Sequence, residues 1–193
     1  MKKRRGHFWL DVTACFLIPA YTLLFAGSVE WFGSNFSVIA VRGENYYWGF
    51  VGWGLLTGGY FLVMLVRLAG SLPRRGAQAG VLLLTALGSL SLGYALIIPY
   101  LPDHFPRYAT LHVLLAAFAC VLLMGALLVT LLALRREERG KWQGPFRTWW
   151  GIVAGSGILF FIPGMVSTAL EVFFTISAAL LTRHIYLRCP GRV

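Results

Sequence analysis

The sequence predicts an all-α polytopic membrane protein, a six-transmembrane-helix bundle with both termini cytoplasmic and a single domain over residues 1–193. Three observations carry this expectation. Hydrophobic residues make up 58% of the 193 and fall in long blocks, whereas charged residues make up 12%, too few to cover a soluble domain of this size. The mean hydropathy is +0.72, and the strand-like alternation that a membrane barrel requires is absent. The net charge is +10, and its placement is one-sided. With six crossings drawn, Lys2, Lys3, Arg4 and Arg5 share a side with Arg67, Arg74 and Arg75. On that side also lie Arg135, Arg136, Arg139, Lys141 and Arg147, and then Arg183, Arg188 and Arg192. Only Arg42 and Arg107 lie opposite, so 15 of the 17 basic residues obey the positive-inside rule. The expected location is the plasma (inner) membrane. Contact with anionic lipid headgroups accounts for the charge, so no nucleic-acid partner is expected. Membrane lipids are the expected partners, and a second membrane protein subunit is left open.

The crossings follow in order. Residues 8–27 come after a basic start and resemble a signal peptide, but the apolar run is long and holds Asp11 and Pro19, which favours an uncleaved helix. Asp11 is expected near the inner interface, paired with Arg4 or Arg5 or with water. The loop 28–45 contains Trp31, Phe32 and Phe36, which suit a segment lying on the bilayer surface, and Asn35-Phe36-Ser37 is formally a glycosylation sequon. Residues 46–66 open with Tyr46, Tyr47 and Trp48 at the interface and carry Gly54 and Gly58, a GxxxG spacing for close helix packing. Residues 79–101 hold Thr85, Ser89 and Tyr94, and a short loop with Asp103, His104 and Arg107 follows. Residues 109–134 place His112, Ala116 and Cys120 at i, i+4 and i+8, a small and polar stripe suited to a bundle interior. Residues 135–147 read as a solvated helix end. Residues 148–162 and 165–187 form the last two crossings, joined at Pro163-Gly164.

Between Arg147 and Arg183 the only charged residue is Glu171. A carboxylate inside hydrocarbon costs several kcal/mol unless it is paired, protonated or facing a polar cavity, and this makes it a functional candidate by default. The predicted topology puts His112, Tyr94, Asp103 and His104 at a similar depth or just above, where Glu171 and His112 are placed to pair. The competing reading is a buried polar link that locks helices together.

Standard catalytic signatures are missing: there is no HExxH, Walker A or GxGxxG motif. Ala154-Gly155-Ser156-Gly157 lacks the first glycine of a rhomboid-like GxSG. Cys15, Cys120 and Cys189 show no CxxC spacing, and none falls in an outer loop. No metal, cofactor or catalytic residue is therefore assigned.

Three stretches together carry a resemblance: Ser34-Asn35-Phe36-Ser37-Val38-Ile39, His112-x-x-x-Ala116, and Ser167-Thr168-Ala169-Leu170-Glu171-Val172-Phe173-Phe174. They resemble the FRAG/DRAM-like six-helix membrane protein group and its uncharacterised bacterial relatives over most of the chain. The resemblance implies a six-helix bundle with cytoplasmic ends, a part in lipid homeostasis, and emphasis on Glu171, His112 and Asn35. It implies no reaction.

The function expected is non-catalytic recognition of a lipid or lipid-linked headgroup by an outward-facing polar pocket. Its binding residues would be Glu171, His112, Asn35, Tyr94, Asp103 and His104. One alternative is a small solute transporter or substrate-binding membrane subunit, which requires a wet cavity reaching the midplane. The other is an intramembrane hydrolase or transferase with Glu171 and His112 as acid and base, which requires the two within hydrogen-bond reach beside a cleft.

Overall fold

The computed structural model describes residues 8–27 and 29–189, and among them every regular element is a helix. We number these α1 (Phe8–Ala26), α2 (Phe36–Ala40), α3 (Glu44–Gly70), α4 (Arg75–Ile97), α5 (Pro106–Glu137), α6 (Arg139–Phe161) and α7 (Thr168–Leu187). Five of them, α1, α3, α4, α5 and α7, are long and apolar enough to cross a membrane. Helix α6 is long enough but opens with Arg139, Lys141 and Arg147. Its apolar part, from Thr148 onward, rises about 21 Å, short of the ~30 Å hydrocarbon thickness.

Local sequence explains the helix ends and irregularities. Helix α1 widens to π geometry over Thr13–Leu17, where the Ile18 N–H reaches the Thr13 carbonyl, immediately before Pro19. Proline has no N–H, and its ring crowds the carbonyl four residues back, so the wider turn relieves that clash. Helix α4 stops at Ile97, short of the expected residue 101, because Pro99 drives Ile98 into extended backbone. A single residue, Glu138, separates α5 from α6, so the segment 135–147 is helical on both sides of that break; its residues 136–141 are exposed, as expected of a solvated helix end, while Trp142 and Pro145 turn inward. Trp142 is buried there, and the Arg135 guanidinium lies 3.9 Å from the Phe146 ring centroid. The turn from α6 to α7 uses Gly164 at φ 67°, a left-handed conformation that glycine adopts without a Cβ penalty.

Helix α3 is central and contacts α1, α2, α4, α5 and α7, while α4 and α5 form the most extensive pair. A Cβ on Gly58 would lie 2.7 Å from Leu92 Cδ2 of α4, so the GxxxG face does receive a neighbouring helix. Hydrogen bonds from side chains also stitch helices together. Trp149 Nε1 donates to the Met124 carbonyl at 3.1 Å, Tyr60 Oη to the Ala179 carbonyl at 3.1 Å, and Trp53 Nε1 to Thr22 Oγ1 at 3.0 Å. At the end of the bundle away from α2, Arg183 Nε donates to Asp11 Oδ1 at 2.8 Å, joining α7 to α1. Asp11 thus takes Arg183 as its partner, while Arg4 and Arg5 lie outside the described residues.

Two apolar clusters form the core. The larger lies toward that end and includes Met64, Leu68, Leu127 and Ile185. The smaller lies at the α2 end and includes Phe36, Ile39, Phe50, Leu96 and Val172. Phe36 is fully buried, its ring set edge-on to Phe25 and Trp53 with centroids 5.1 and 4.8 Å away, so it is a core residue and not an interfacial one. Trp31 and Phe32 remain exposed, as does a broad apolar surface that includes Leu24, Leu83, Leu114 and Ile158. Water does not suit such a surface, and membrane does.

Candidate functional site: a cavity with one polar end

The residues 29–43 fold back over the end of the bundle and exchange caps with α7. Asn35 is the N-cap of α2, its Oδ1 accepting the Val38 N–H at 3.0 Å, while its Nδ2 donates to the Val166 carbonyl at 3.4 Å. The first two amides of α7 donate back to this segment, Thr168 N–H to the Ser34 carbonyl at 2.7 Å and Ala169 N–H to the Trp31 carbonyl at 2.9 Å. Ser167 caps α7 in turn, accepting the Leu170 N–H at 3.3 Å. Glu171, in the first turn of α7, completes the exchange: its Oε2 accepts the Phe36 N–H at 2.7 Å, at the start of α2. A carboxylate suits that position because the free amides at a helix start carry partial positive charge.

His112 anchors the neighbouring residue. Its Nδ1 lies 2.8 Å from the Ile98 carbonyl and its Nε2 lies 2.7 Å from Ser37 Oγ. A carbonyl can only accept, so this network assigns the hydrogen to Nδ1 and leaves Nε2 to accept the Ser37 hydroxyl. Glu171 and His112 therefore hold two consecutive residues, Phe36 and Ser37, and are not paired with each other. This corrects the expected carboxylate–imidazole contact. Both ring nitrogens of His112 are engaged, which leaves none free to exchange a proton with a ligand in this arrangement.

These groups form the polar end of a cavity of about 460 Å³, within the ~300–1,000 Å³ of small-molecule sites. Asn35, Ser37, Tyr100, His112 and Glu171 line that end, and the body runs between α3, α4, α5, α6 and α7 along apolar side chains such as Phe61, Leu92, Leu123 and Met124. The stripe His112, Ala116 and Cys120 faces it, as do Glu171 and Thr175 one turn apart on α7. Val121 and Phe160 line the cavity yet are 66% and 40% exposed, so its wall opens sideways between α5 and α6. The other oxygen of Glu171, Oε1, has no hydrogen-bond partner among the described residues. The Ser156 hydroxyl of α6, also lining the cavity, is buried without a partner.

Three of the six expected site residues, Glu171, His112 and Asn35, thus meet at one place. The other three do not join them. Tyr94 is 61% exposed on the outer surface of α4, and Asp103 and His104 are exposed in the loop before α5; none lines the cavity. The expectation placed them by depth alone, and depth does not fix which way a helix face turns. Ser37, Tyr100 and Ser156 were not among the expected site residues. Ser37 stands two residues after Asn35, but its link to a histidine 75 residues away leaves no local signature. Among the described residues no group of three or more His, Cys, Asp or Glu could hold a metal ion. Comparison of the chain with protein-family models, with curated proteins and with solved structures gives no match.

Proposed function

We propose that this chain is a non-catalytic integral membrane protein that binds a lipid or lipid-derived amphiphile, head toward Glu171 and His112 and tail along the apolar body of the cavity. One observation carries the reading: a single cavity has a hydrogen-bonding end, an apolar body and a side opening flanked by exposed apolar residues of α5 and α6. A water-soluble solute has no use for such walls, whereas an amphiphile can enter from the bilayer without crossing water. The topology we propose has six crossings, with α6 as the fifth, both termini cytoplasmic and the α2 end outside. The one-sided basic residues support it. The resemblance to the FRAG/DRAM-like group points to lipid homeostasis and agrees with this reading.

The test is native mass spectrometry of the full chain released from membranes in mild detergent. Wild-type protein is expected to carry a bound amphiphile, and Ala116→Trp, which fills the cavity, is expected to lose it. Phe118→Trp, on the exposed face of α5, is expected to keep it. Wild-type protein without bound lipid, or an unchanged lipid complement in Ala116→Trp, would overturn the proposal.

A further inference from the structure

Resting on the lipid-binding reading, we infer that the head of the amphiphile is a cationic amine whose ammonium donates to Glu171 Oε1, and that anionic lipids are excluded. The charge inventory of the cavity carries this. Its lining holds one carboxylate and, among the described residues, no lysine or arginine. Among the described residues no ion pair neutralises Glu171; the pairs present there are Lys141–Glu138 and Arg183–Asp11. One carboxylate oxygen is already spent on the Phe36 N–H, and the other is left with open acceptor capacity.

Two helices begin beside the site, and helix starts ordinarily favour anions. Here that capacity is used. Glu171 occupies the place at the start of α2, and the carbonyls of Trp31 and Ser34 take the first two amides of α7. His112 cannot serve an anion without giving up Ser37 or Ile98. While Glu171 is ionised, a phosphate or carboxylate head meets a like charge with only the neutral hydroxyls of Tyr100 and Ser156 as donors, inside a low-dielectric cavity where like charges repel strongly. An ammonium meets the unpaired oxygen, with the Ser156 hydroxyl as an additional polar group on the cavity wall. The cavity's volume and single polar end suit one acyl or alkyl chain with one head.

The experiment measures equilibrium binding of oleylamine, oleyl alcohol and oleic acid to the full chain in a neutral detergent, with Ala116→Trp reporting partition into micelles. The three share a chain, so differences report the head. Oleylamine is expected to bind at least about tenfold more tightly than the alcohol, as a charge-assisted hydrogen bond allows, with the acid weakest. Glu171→Gln is expected to bring amine and alcohol level. Thr175→Lys, which places an ammonium one turn from Glu171, is expected to favour the acid and guards against a Glu171 variant that fails to fold. Oleic acid binding as tightly as oleylamine, or an amine preference that survives Glu171→Gln, would overturn the inference while the lipid-binding reading stands. No binding above the Ala116→Trp background by any of the three would overturn both.

Discussion

Glu171 and Phe36 are joined by a 2.7 Å hydrogen bond across 135 residues of chain, and the last helix thereby caps the start of a five-residue helix near the beginning. The bond makes Glu171 a structural residue as well as a candidate ligand, and the two roles separate by substitution. Glu171→Gln retains a side-chain oxygen that can accept the Phe36 N–H, so its thermal midpoint is expected to stay close to wild type. Glu171→Ala leaves that amide unsatisfied and is expected to cost about 1–3 kcal/mol. Thermal unfolding in detergent checks the order, and equal losses in both variants would show that the cap contributes nothing.

His112 secures the same segment from the other side. With alanine in its place, both the Ile98 carbonyl and the Ser37 hydroxyl lose their partner. Amides of residues 34–40 are expected to exchange faster with deuterium in His112→Ala, while the inner part of α3 around Met64 and Leu68, buried in the larger cluster, stays protected. Mass spectrometry of peptides from the two regions resolves this, and uniform acceleration would point to global destabilisation instead.

The Asp11–Arg183 pair lies near one end of α1 and α7 with both side chains about a third exposed. Screening at such sites keeps the coupling small, and a double-mutant cycle with Asp11→Asn and Arg183→Gln is expected to return about 0.2–1 kcal/mol. A larger value would mean that the pair is shielded from water in the assembled membrane.

Two glycines test backbone conformation against helix propensity. Gly164 sits at φ 67°, so Gly164→Ala is expected to destabilise by about 1–2 kcal/mol. Gly93, within α4 with nothing within 4 Å of an added Cβ, behaves oppositely, and Gly93→Ala is expected to gain up to about 1 kcal/mol. Unfolding midpoints of the two variants should move in opposite directions.

The six-crossing topology is open to labelling by a membrane-impermeant thiol reagent in a chain whose native cysteines are replaced. Asp103→Cys and Met165→Cys are expected to react from outside, and Arg74→Cys only after permeabilisation. Met165→Cys reacting from the same side as Arg74→Cys would mean that α6 does not cross.

Much of the bundle was legible because apolar blocks of bilayer length leave few alternatives to a helix, and prolines and glycines mark most ends. What misled was charge and aromaticity read locally. The charged run 135–147 looks solvated and residues 136–141 are indeed exposed, but its aromatic residues turn inward, with Trp142 buried and Phe146 covering Arg135. Phe36 looks like part of an interfacial belt, but the segment that carries it folds inward. Glu171 and His112 stood out because an ionisable group in an apolar run is costly and therefore rare. Their shared attachment to Phe36 and Ser37 was not legible, since it depends on which helix faces converge. Tyr94 turns to the exposed surface of α4, and Asp103 and His104 stay exposed in the loop before α5.

The capping exchange between residues 31–36 and α7 also constrains assembly. As the chain is made from its N-terminus, the carbonyls of Trp31 and Ser34 and the amide of Phe36 emerge long before α7 exists to meet them. Until that helix inserts, they must stay hydrated or be held by something else, and the wall that α7 contributes to the cavity is missing. The cavity is thus finished only when α7 packs against the rest, and a nascent chain stalled before Ser167 would lack both that wall and the closed polar end.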